Sequence, residues 1–533
     1  MQKVLVANRG EIALRVFRAA RALGLSTVAV VAPDDRGSLH ARSADETIEI
    51  ASYLYSEEHI RAAKQSGADA VHPGYGFLAE NGDFAEAVEA AGLTWIGPPP
   101  DALRAGGDKL TAKRIAREVG VPTIPEVADP PLIVKAAAGG GGRGMRVVRS
   151  AAELADALEA ARREARTAFG DDRVYLERYL ERPQHVEIQL LADAHGTVLS
   201  LGERDCSVQR RHQKVLEESP SPVLDADLRA RMSDAAVRFA QAIGYVGAGT
   251  AEFVVDGRDF YFLELNGRIQ VEHPVTELVT GIDLVQWQLR IARGERLDIR
   301  PEPRGHAVEV RLYAEDPRTF LPQAGRIERL HLPTSIRVDA GVVEGDEIGT
   351  GYDPMIAKLI AAGATRDEAL DRLAAALAET EVIGVTTNLP FLRWLVAHPA
   401  LRSGEVTTAF LTEYPPLSAP PALLPGPVWR GAFRLNLPTA ALQTPPDIDA
   451  AAHAHGGAEA SRAVTAPMPG TVIKVHVQAG STVKARQPLV VLEAMKMETP
   501  LTSPYDATVR AVHVQEGDRV AGGAVLVELE DEL

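Results

Sequence analysis

The sequence predicts a doubly wound α/β domain at the amino end, an α+β domain with a further lobe in the middle, and an all-β barrel at the carboxyl end. Three observations lead to this prediction. Strand and helix patterns alternate over the first 107 residues, a glycine run and a carboxylate-bearing hairpin follow, and a segment near the carboxyl end repeats itself. The 533 residues are enough for three or four domains.

The amino-terminal pattern begins with a strand. Lys3 to Ala7 and Thr27 to Val31 are apolar stretches on either side of an amphipathic helix, Glu11 to Leu23. Later strands end at Ala70–His72 and Thr94–Gly97, which completes the alternation expected of a doubly wound parallel sheet. The first strand–helix turn lacks the glycine-rich fingerprint of a dinucleotide site, so the pattern excludes that class of site.

A glycine run follows the next predicted strand. Ile133 to Lys135 is apolar with a terminal lysine, Gly139 to Gly142 are four consecutive glycines, and Met145 to Val148 is a second strand. Glycines let backbone N–H groups approach a polyphosphate without obstruction by Cβ. A flexible linker is the alternative, but a linker seldom lies between two such strands. The loop is not of the Walker type, because Gly-Lys-Ser/Thr is missing.

Two polar stretches follow in the middle of the chain. Alternation places His185, Glu187 and Gln189 on one face of a strand, where a salt-bridged surface face is the alternative. The segment from Glu203 to Lys214 is a dense polar run of the kind that is usually a solvated loop. Three cations and a histidine within its last five residues also suit an anion-binding wall.

Two strands with carboxylates give the strongest catalytic signal. Gly249 to Val255 and Asp259 to Asn266 are separated by a short turn, which predicts a hairpin with Glu252 and Glu264 near its open end. The two carboxylates and the amide oxygen of Asn266 suit Mg²⁺ or Mn²⁺ bridging phosphates. A structural hairpin with surface acids is the alternative, which the flanking apolar residues disfavour.

Downstream of the hairpin, Arg268, Gln270 and Glu272 alternate at period 2 and share one side of an extended chain. The cation and the amide suit a small planar anion. The carboxylate suits a general base.

Residues 466–493 repeat as residues 503–530, with Gly480 matching Gly517. Both copies alternate apolar and polar residues at period 2, with glycine at the turns. Neither copy could bury its apolar face alone, so two copies closing on each other predict a small flattened barrel. Lys496 falls in the connector, where an exposed turn presents a residue to other proteins. An ordinary surface lysine is the alternative.

Net charge, cysteine content and the lack of long apolar runs exclude several classes of protein. The net charge of −16 argues against a general nucleic-acid binder. Cys206 is the single cysteine, which excludes an internal disulfide and fits a reducing cytosol. The sequence enters a strand without a signal-peptide pattern, and it contains no long apolar run. We therefore expect a cytoplasmic protein with no membrane or nucleic-acid partner.

Several of these stretches resemble one family. "ANRGEIA", "HPGYGFLAEN" and "NGRIQVEHPVTE" resemble biotin carboxylases, and the glycine run resembles the phosphate-covering loop of ATP-grasp ligases. Ala494 to Met497 resembles the Ala-Met-Lys-Met signature of biotinyl domains. Over nearly its whole length the chain resembles the α-subunit of a biotin-dependent acyl-CoA carboxylase of acetyl- or propionyl-CoA type.

The resemblance implies five regions. They are a biotin carboxylase amino-terminal domain at 1–107, an ATP-grasp domain at 108–300, a biotin carboxylase carboxyl-terminal domain at 301–414, a linker at 415–462 and an all-β biotinyl (hammerhead) carrier domain at 463–533. The linker is rich in Pro and Ala, which predicts a semi-rigid tether spanning on the order of 35–40 Å on average.

The resemblance also implies roles for individual residues. Those expected to bind ATP are Lys109, Lys135, Gly140, Gly141, Gly142, Glu177, Arg178, Leu180, His185 and His212. Those expected to bind bicarbonate are Lys214, Arg268, Gln270 and Val271. The catalytic group is expected to comprise Lys214, Arg268, the base Glu272, and Arg311, which stabilises the biotin enolate. Mg²⁺ or Mn²⁺ is expected on Glu252, Glu264 and Asn266, and biotin on Lys496 through an amide.

The sequence departs from the family pattern at two places. Gly267 stands where the family usually has a bulkier residue, without loss of a functional side chain. Only ten residues, Thr123 to Leu132, lie where the family inserts a helix. We therefore expect a trimmed lid subdomain at about 123–200, with altered closing motion or dimer contacts.

The resemblance implies ATP- and bicarbonate-dependent carboxylation of biotin on Lys496, the first half-reaction of an acyl-CoA carboxylase. The expected partners are a separate carboxyltransferase (β) subunit, a biotin protein ligase and a second copy of the chain, contacted through the biotin carboxylase domain. A component of a urea, pyruvate or methylcrotonyl-CoA carboxylase is the alternative. The tether leaves no room for the large intervening domain of propionyl- and methylcrotonyl-type α-subunits, which favours acetyl-CoA or a broad range of acyl-CoA esters. A biotin carrier with a decayed ligase half is disfavoured, because the site residues are intact.

Overall fold

In the computed structural model, the structure describes residues 1–137, 145–210, 213–418, 463–466, 470–494, 497–520 and 523–531. The chain divides into two compact units. The first comprises residues 1–313, 327–346 and 355–417, and the second comprises residues 314–326, 347–354 and 418–533. Among the described residues, no helix combines the length and the apolar character needed to span a membrane.

The amino-terminal part of the first unit is a parallel sheet with helices. Its strands are β1 (Lys3–Val6), β2 (Ser26–Val31), β3 (Glu46–Glu49), β4 (Ala70–His72) and β5 (Thr94–Trp95). The helices here and leading into the next region are α1 (Gly10–Ala22), α2 (Leu39–Ser43), α3 (Ser56–Ser66), α4 (Gly82–Ala90), α5 (Pro100–Gly107) and α6 (Lys109–Glu118), with a 3₁₀ turn at Pro33–Asp35. The strand order is β3-β2-β1-β4-β5, and every pair is parallel. The predicted doubly wound domain is confirmed.

A small antiparallel sheet follows, which we call the lid sheet. It consists of β6 (Leu132–Ala136), β7 (Arg146–Val148) and β8 (Val174–Arg178), with a 3₁₀ turn at Ala151–Glu153 and helix α7 (Leu154–Phe169). The order is β7-β6-β8. Residues 119–131, between α6 and β6, contain no helix, as the short spacing predicted.

The centre of the first unit is an eight-stranded antiparallel sheet. The strands from here to residue 383 are β9 (Gln184–Ala192), β10 (Val198–Arg210), β11 (Gln213–Ser219), β12 (Gly247–Asp256), β13 (Asp259–Asn266), β14 (His306–Tyr313), β15 (Gly325–Arg326), β16 (Arg329–His331), β17 (Arg337–Ala340), β18 (Glu347–Ile348), β19 (Met355–Gly363) and β20 (Glu381–Ile383). The helices are α8 (Ala226–Ala242), α9 (His273–Thr280), α10 (Leu284–Ala292), α11 (Arg366–Glu379), α12 (Leu389–Ala397), α13 (Pro399–Arg402) and α14 (Phe410–Glu413). The large sheet has the order β13-β12-β9-β10-β11-β14-β19-β17, and β15-β18 and β16-β20 are short pairs.

Alternation along the strands gives the large sheet one apolar and one polar face. Ile188 of β9 and Phe253 of β12 are buried in the same core as Phe239 of α8. Glu187 and Glu252, one position away along these strands, are cross-strand partners on the other face. The helix therefore covers the apolar face, and the predicted site residues of these strands share the polar one.

The segment before the lid sheet bridges two sheets. Phe262 of β13 donates its backbone N–H to the carbonyl of Pro122 at 2.8 Å, and Arg178 of β8 donates to the carbonyl of Pro125 at 3.0 Å. A segment without a helix thus connects the large sheet directly to the lid sheet.

The carboxyl-terminal part of the second unit consists of short strands. They are β21 (Ala463–Thr465), β22 (Gly470–Val475), β23 (Thr482–Val483), β24 (Pro488–Ala494), β25 (Met497–Thr502), β26 (Ala507–Val512), β27 (Arg519–Val520) and β28 (Val525–Asp531). They form two four-stranded antiparallel sheets, β21-β28-β26-β23 and β25-β24-β22-β27. β26, β27 and β28 each begin 37 positions after β22, β23 and β24, so the internal repeat reappears as matching strands. Both sheets contribute to one apolar core, which confirms the flattened barrel.

Candidate active site

The hairpin of β12 and β13 brings the predicted metal ligands together. The predicted hairpin is present, and Glu252 and Glu264 are cross-strand partners in it. Glu252 is buried, and Asn266 donates from Nδ2 to its Oε1 at 2.8 Å. Glu264 is half-buried, with its Oε2 3.2 Å from Nζ of Lys109. Two carboxylates and an amide at one end of a hairpin fit a hard divalent cation by the chemistry of their oxygens.

A histidine and a lysine contact the two oxygens of the Glu252 carboxylate. Nε2 of His185 lies 3.0 Å from Oε2, and Nζ of Lys214 lies 2.8 Å from Oε1. Burial alone would raise the pKa of Glu252, but Lys214 and His185 hold it well below its usual range. A further potential metal-binding group is formed by His185, Glu187 and Glu252, whose ligand atoms lie within 4.8 Å of one another. The Glu252 carboxylate is therefore ionised and ready for a cation.

Lys214 lies between Glu252, a predicted metal ligand, and Glu272 of the predicted anion site. Its Nζ lies 2.6 Å from Oε1 of Glu272 and also contacts Glu187. Burial opposes the charge, but Glu187, Glu252 and Glu272 together raise the pKa of Lys214 well above its ordinary value. The lysine is thus a fixed positive charge among three acids.

Glu272, the predicted base, lies between two cations. Nη2 of Arg311 is 3.1 Å from its Oε2, on the side away from the contact with Lys214. Burial would raise the pKa of Glu272, but Lys214, Arg311 and Arg204 hold it well below its usual range. The carboxylate is ionised, as a base must be. An anion that draws Lys214 away would raise the basicity of Glu272.

Arg268 and Gln270 are aimed by their neighbours. Arg268 donates from Nη2 to Oδ1 of Asn266 at 2.9 Å and from Nε to Oε2 of Glu80 at 3.0 Å. Gln270 donates from Nε2 to Oε1 of Glu252 at 2.8 Å. The structure therefore brings the three predicted period-2 residues into one cluster with Glu252.

Arg311 of β14 is shared by two acids. Its Nη2 lies 2.5 Å from Oε1 of Glu217 as well as near Glu272. Burial raises the pKa of Glu217 to about 7 in spite of Arg311. The Nε of Arg311 is buried and has no hydrogen-bond partner among the described residues. One donor of this arginine is therefore left for a substrate oxygen.

The lysines of the lid side share one acid. Nζ of Lys135 lies 2.9 Å from Oε2 of Glu177, and Lys113 contacts the other oxygen of the same carboxylate. Burial and Lys109 lower the pKa of Lys135 to about 8. Burial and Lys135 pull the pKa of Lys113 down to about 6, whereas its contact with Glu177 favours the charged form. Lysines thus outnumber acids beside β6 and β8, and the Glu177 side chain, which was predicted to bind ATP, is held by two of them.

Three further residues predicted to bind ATP lie on β8, just after it, or on β9. Arg178 donates from Nη2 to the hydroxyl of Tyr261 at 3.0 Å. Leu180 is half-buried just after β8. Nδ1 of His185 is 2.9 Å from Nε2 of Gln209. Their assignment to ATP stays a prediction.

Some predicted residues lie outside the described residues. They are Gly140, Gly141, Gly142, His212 and Lys496. β24 ends at Ala494, which pairs with Met497 at the start of β25.

Sequence reasoning missed several residues that organise the site. Lys358, fully buried in the apolar strand β19, donates from Nζ to the carbonyl of Val271 at 2.8 Å and lies 3.2 Å from Oε1 of Glu11. A single charge inside an apolar strand is a signal that could have identified it. The ammonium group of Lys358 thus fixes the backbone carbonyl of Val271, a residue predicted to bind the anion.

Glu80 explains part of the segment around Gly267. Its Oε1 accepts the backbone N–H of Gly267 at 3.0 Å, while Oε2 holds Arg268. A Cβ at Gly267 would lie 2.7 Å from Cδ2 of Leu103. Leu103 therefore fills the space that a side chain at Gly267 would need, and Glu80 fixes the backbone there.

Family models match four parts of the chain. They are described as "Biotin carboxylase, N-terminal domain" at residues 1–103, "Carbamoyl-phosphate synthase L chain, ATP binding domain" at 108–300, "Biotin carboxylase C-terminal domain" at 309–413 and "Biotin-requiring enzyme" at 462–529.

Curated proteins of similar sequence are named as alpha subunits of CoA carboxylases. The chain is 45% identical to the biotin-dependent acyl-coenzyme A carboxylase alpha3 subunit of Mycobacterium leprae, with 94% of each chain covered. It is 47% identical to the propionyl-CoA carboxylase alpha chain of Ruegeria pomeroyi, over 78% of this chain and 68% of that one. It is 48% identical to the methylcrotonoyl-CoA carboxylase subunit alpha of Dictyostelium discoideum, over 77% of this chain, and spans 63% of that relative's length.

Solved structures match most of the chain. The biotin carboxylase domain of the Hydrogenobacter thermophilus 2-oxoglutarate carboxylase, in complex with MgADP, ADP and bicarbonate, has a TM-score of 0.76 at 43% identity over 78% of this chain and 98% of that one. Biotin carboxylase from Campylobacter jejuni has a TM-score of 0.76 at 40% identity over 78% and 99%.

Fold and site together define the class as a biotin carboxylase, a ligase of the ATP-grasp type. The chain belongs to the family of biotin-dependent acyl-CoA carboxylase α-subunits, in which this ligase is joined to a biotinyl domain. The resemblance stated from the sequence is confirmed.

Proposed function

We propose that this chain carboxylates biotin carried on its own Lys496, using ATP and bicarbonate, as the first half-reaction of an acyl-CoA carboxylase. The supporting observation is the position of Glu272 between Lys214 and Arg311. A base between two cations suits proton removal from one substrate and charge stabilisation on the next.

Bicarbonate would lie against Lys214, Arg268 and Gln270, whose N–H groups are suitable donors. When Lys214 turns toward the anion, Glu272 loses part of its compensating charge and becomes more basic. Glu272 would then accept the bicarbonate proton, and the freed oxygen would attack the γ-phosphate of ATP to give carboxyphosphate and ADP.

Charge on the phosphates would be offset from two sides. Lys109 and Lys135 contribute cations from the lid side, where lysines outnumber acids. A divalent cation held by Glu252, Glu264 and Asn266 would supply Lewis-acid neutralisation of the phosphate oxygens. The residues present fit that role by their oxygen chemistry.

Carboxyphosphate would break down into CO₂ and phosphate, the phosphate would take the proton from the ureido N1 of biotin, and N1 would then bond to the CO₂. Arg311 would hold the ureido oxygen through its free Nε. Nη2 of the same guanidinium contacts Glu272 in the structure, so both half-steps would use one small region.

The second part of the proposal concerns the molecule that finally accepts the carboxyl group from biotin. We place the carboxyltransferase on a separate chain, with acetyl-CoA or a broad range of acyl-CoA esters as acceptor. Supporting this is the relative named an acyl-coenzyme A carboxylase alpha3 subunit, which matches 94% of its length. The propionyl- and methylcrotonoyl-CoA relatives are longer, with 68% and 63% of their lengths covered. Purifying the chain with its native partners and testing a series of CoA esters would identify the acceptor.

The roles of the remaining partners belong to the same proposal. A biotin protein ligase would modify Lys496, a second copy would contact the biotin carboxylase domain, and the location would be cytoplasmic. Light scattering of the purified chain and fractionation of cells test the last two.

The first test separates the ligase from the carrier. Lys496→Ala should abolish streptavidin detection and acyl-CoA carboxylation, while bicarbonate-dependent ADP formation with added free biotin continues. Lys484→Ala is the matched control, since Lys484 is an exposed lysine of the same barrel. Loss of free-biotin carboxylation in Lys496→Ala would contradict the assignment of the carrier lysine, and a wild-type chain without bicarbonate-dependent ADP formation would overturn the proposed function.

A further inference from the structure

Arg204 of β10 is a fully buried arginine beneath the anion site. Each of its five N–H groups has one acceptor. Nε donates to Oε1 of Glu187 at 2.6 Å, Nη1 to Oε1 of Gln189 at 2.6 Å and to Oγ1 of Thr276 at 2.9 Å, and Nη2 to Oγ1 of Thr250 at 3.1 Å and to Oε1 of Gln270 at 2.8 Å. A guanidinium has five N–H donors in a fixed plane, so the whole donor set is used.

This arrangement is specific to arginine. Lysine offers three donors on a flexible stem and could satisfy only part of the acceptor set. Burial opposes the charge of Arg204, while Glu187 and Glu272 raise its pKa above the usual value. The group is therefore a permanent buried cation.

The contact with Gln270 fixes which end of the amide meets the substrate. Oε1 of Gln270 accepts from Arg204, and Nε2 donates to Glu252. One hydrogen on Nε2 remains. The amide thus presents a donor, and a reversed amide would present an oxygen that repels an anion.

The contact with Glu187 acts on the other side of the site. Glu187 accepts from Arg204 with Oε1 and contacts Lys214 with Oε2. Arg204 therefore holds the acid on which Lys214 rests. Two of the four residues predicted to bind bicarbonate, Lys214 and Gln270, thus depend on contacts of one arginine, directly or through Glu187.

We propose that Arg204 is a positioning residue that sets the affinity of the site for bicarbonate by fixing the Gln270 amide and the Glu187 seat of Lys214. The proposal rests on the function proposed above. In this proposal Arg204, which lies outside the anion site, determines that Gln270 presents its N–H donor to the substrate and not its oxygen.

The test uses the full chain and measures bicarbonate-dependent ADP formation with free biotin. Arg204→Lys, which keeps the charge but not the fork, should raise the KM for bicarbonate tenfold or more and leave the KM for MgATP within about twofold. Thr276→Val, a near-isosteric change that removes one of the five acceptors, should raise the bicarbonate KM by about two- to tenfold. Arg366→Met is the control, because Arg366 is a mostly buried arginine paired with Glu218 away from this cluster.

A structural role alone would lower the melting temperature and reduce the amount of active enzyme without changing the bicarbonate KM. Equal increases in both KM values, or an unchanged bicarbonate KM in Arg204→Lys and Thr276→Val, would overturn the inference. In a Gln270→Ala background, Arg204→Lys should have a clearly smaller effect on the bicarbonate KM. If Arg204→Lys does not fold, Thr276→Val alone decides. A wild-type enzyme without bicarbonate dependence would instead refute the proposed function.

Discussion

The two sides of the site are opposite in charge balance. On the hairpin side, Lys214 is surrounded by three acids, and its pKa is raised well above the ordinary value although burial opposes this. On the lid side, Lys113 and Lys135 share the single carboxylate of Glu177, and burial and neighbouring cations lower the pKa of Lys135 to about 8. We call them the acid-rich side, where three acids contact one lysine and Arg204 and Arg311 contact two of the same acids, and the lysine-rich side, where two lysines contact one acid.

Buried charges are costly unless they are paired or bind a ligand of opposite charge. The acid-rich side offers carboxylate oxygens, which suit a divalent cation. The lysine-rich side offers ammonium groups, which suit a triphosphate. The two sides are complementary to the two parts of a metal–nucleotide complex, which the chain would bind between a carboxylate hairpin and a lysine-bearing lid sheet.

The strongest way to break the acid-rich side is Glu272→Gln. We expect bicarbonate-dependent ATP cleavage to fall by about 10²-fold or more, because an amide cannot accept the bicarbonate proton. The measurement is the steady-state rate of ADP formation at saturating substrates. Glu218→Gln, at another buried glutamate, is the control for loss of stability. A Glu272→Gln rate equal to wild type would exclude Glu272 as the base.

The next largest effect is expected from Glu252→Gln. Replacing the ionised carboxylate by a neutral amide should raise the Mg²⁺ or Mn²⁺ concentration needed for half-maximal activity by about 10- to 100-fold. A metal titration of ADP formation measures this directly. Asp256→Asn, an exposed acid of the same hairpin, should leave the metal requirement unchanged. An unchanged titration in both variants would mean that the hairpin binds no metal.

The lysine-rich side is tested by Lys135→Met. Losing one of the shared cations should raise the KM for MgATP about tenfold, with a smaller change in the KM for bicarbonate. The exposed Lys64→Met is the matched control. If the bicarbonate KM rose more than the MgATP KM, the division of the site into two charge regions would be wrong.

The smallest effect concerns pH. Lys135 carries its charge below its pKa of about 8 and loses it above. Because the charged form binds phosphate, the KM for MgATP should rise between pH 7 and 9, by no more than about tenfold per unit. Bound phosphate favours the charged lysine, so the change belongs to KM rather than kcat. Lys135→Met should lack this rise, and a wild-type KM that is flat across the range would contradict the prediction.

Much of the local structure follows from sequence patterns. The 37-residue repeat predicted the paired strand sets of the barrel, because identical alternation buries identical faces. The short turn between two apolar strands predicted the hairpin and placed Glu252 opposite Glu264. The ten residues from Thr123 to Leu132 correctly indicated the missing helix. In each case the information lies within one or two neighbouring elements.

The tertiary structure decided the partners of those residues. Arg204 belongs to a stretch that reads as a solvated loop, yet it is fully buried because β10 lies inside the eight-stranded sheet. Lys358 reaches Val271 across 87 positions of sequence, and Glu80 reaches Arg268 across 188. Sheet order and register create these contacts, and no local periodicity records them.

The sequence by itself therefore determined the amino-terminal alternation, the hairpin, the repeat, the family and the residues able to carry the chemistry. The tertiary structure alone decided their electrostatic state. A carboxylate or lysine has its ordinary pKa in the sequence, and it acquires a shifted one only when folding removes water and places charges from distant segments within hydrogen-bond distance. Glu272 is an acid in the sequence, and Lys214 and Arg311 make it an ionised base between two cations.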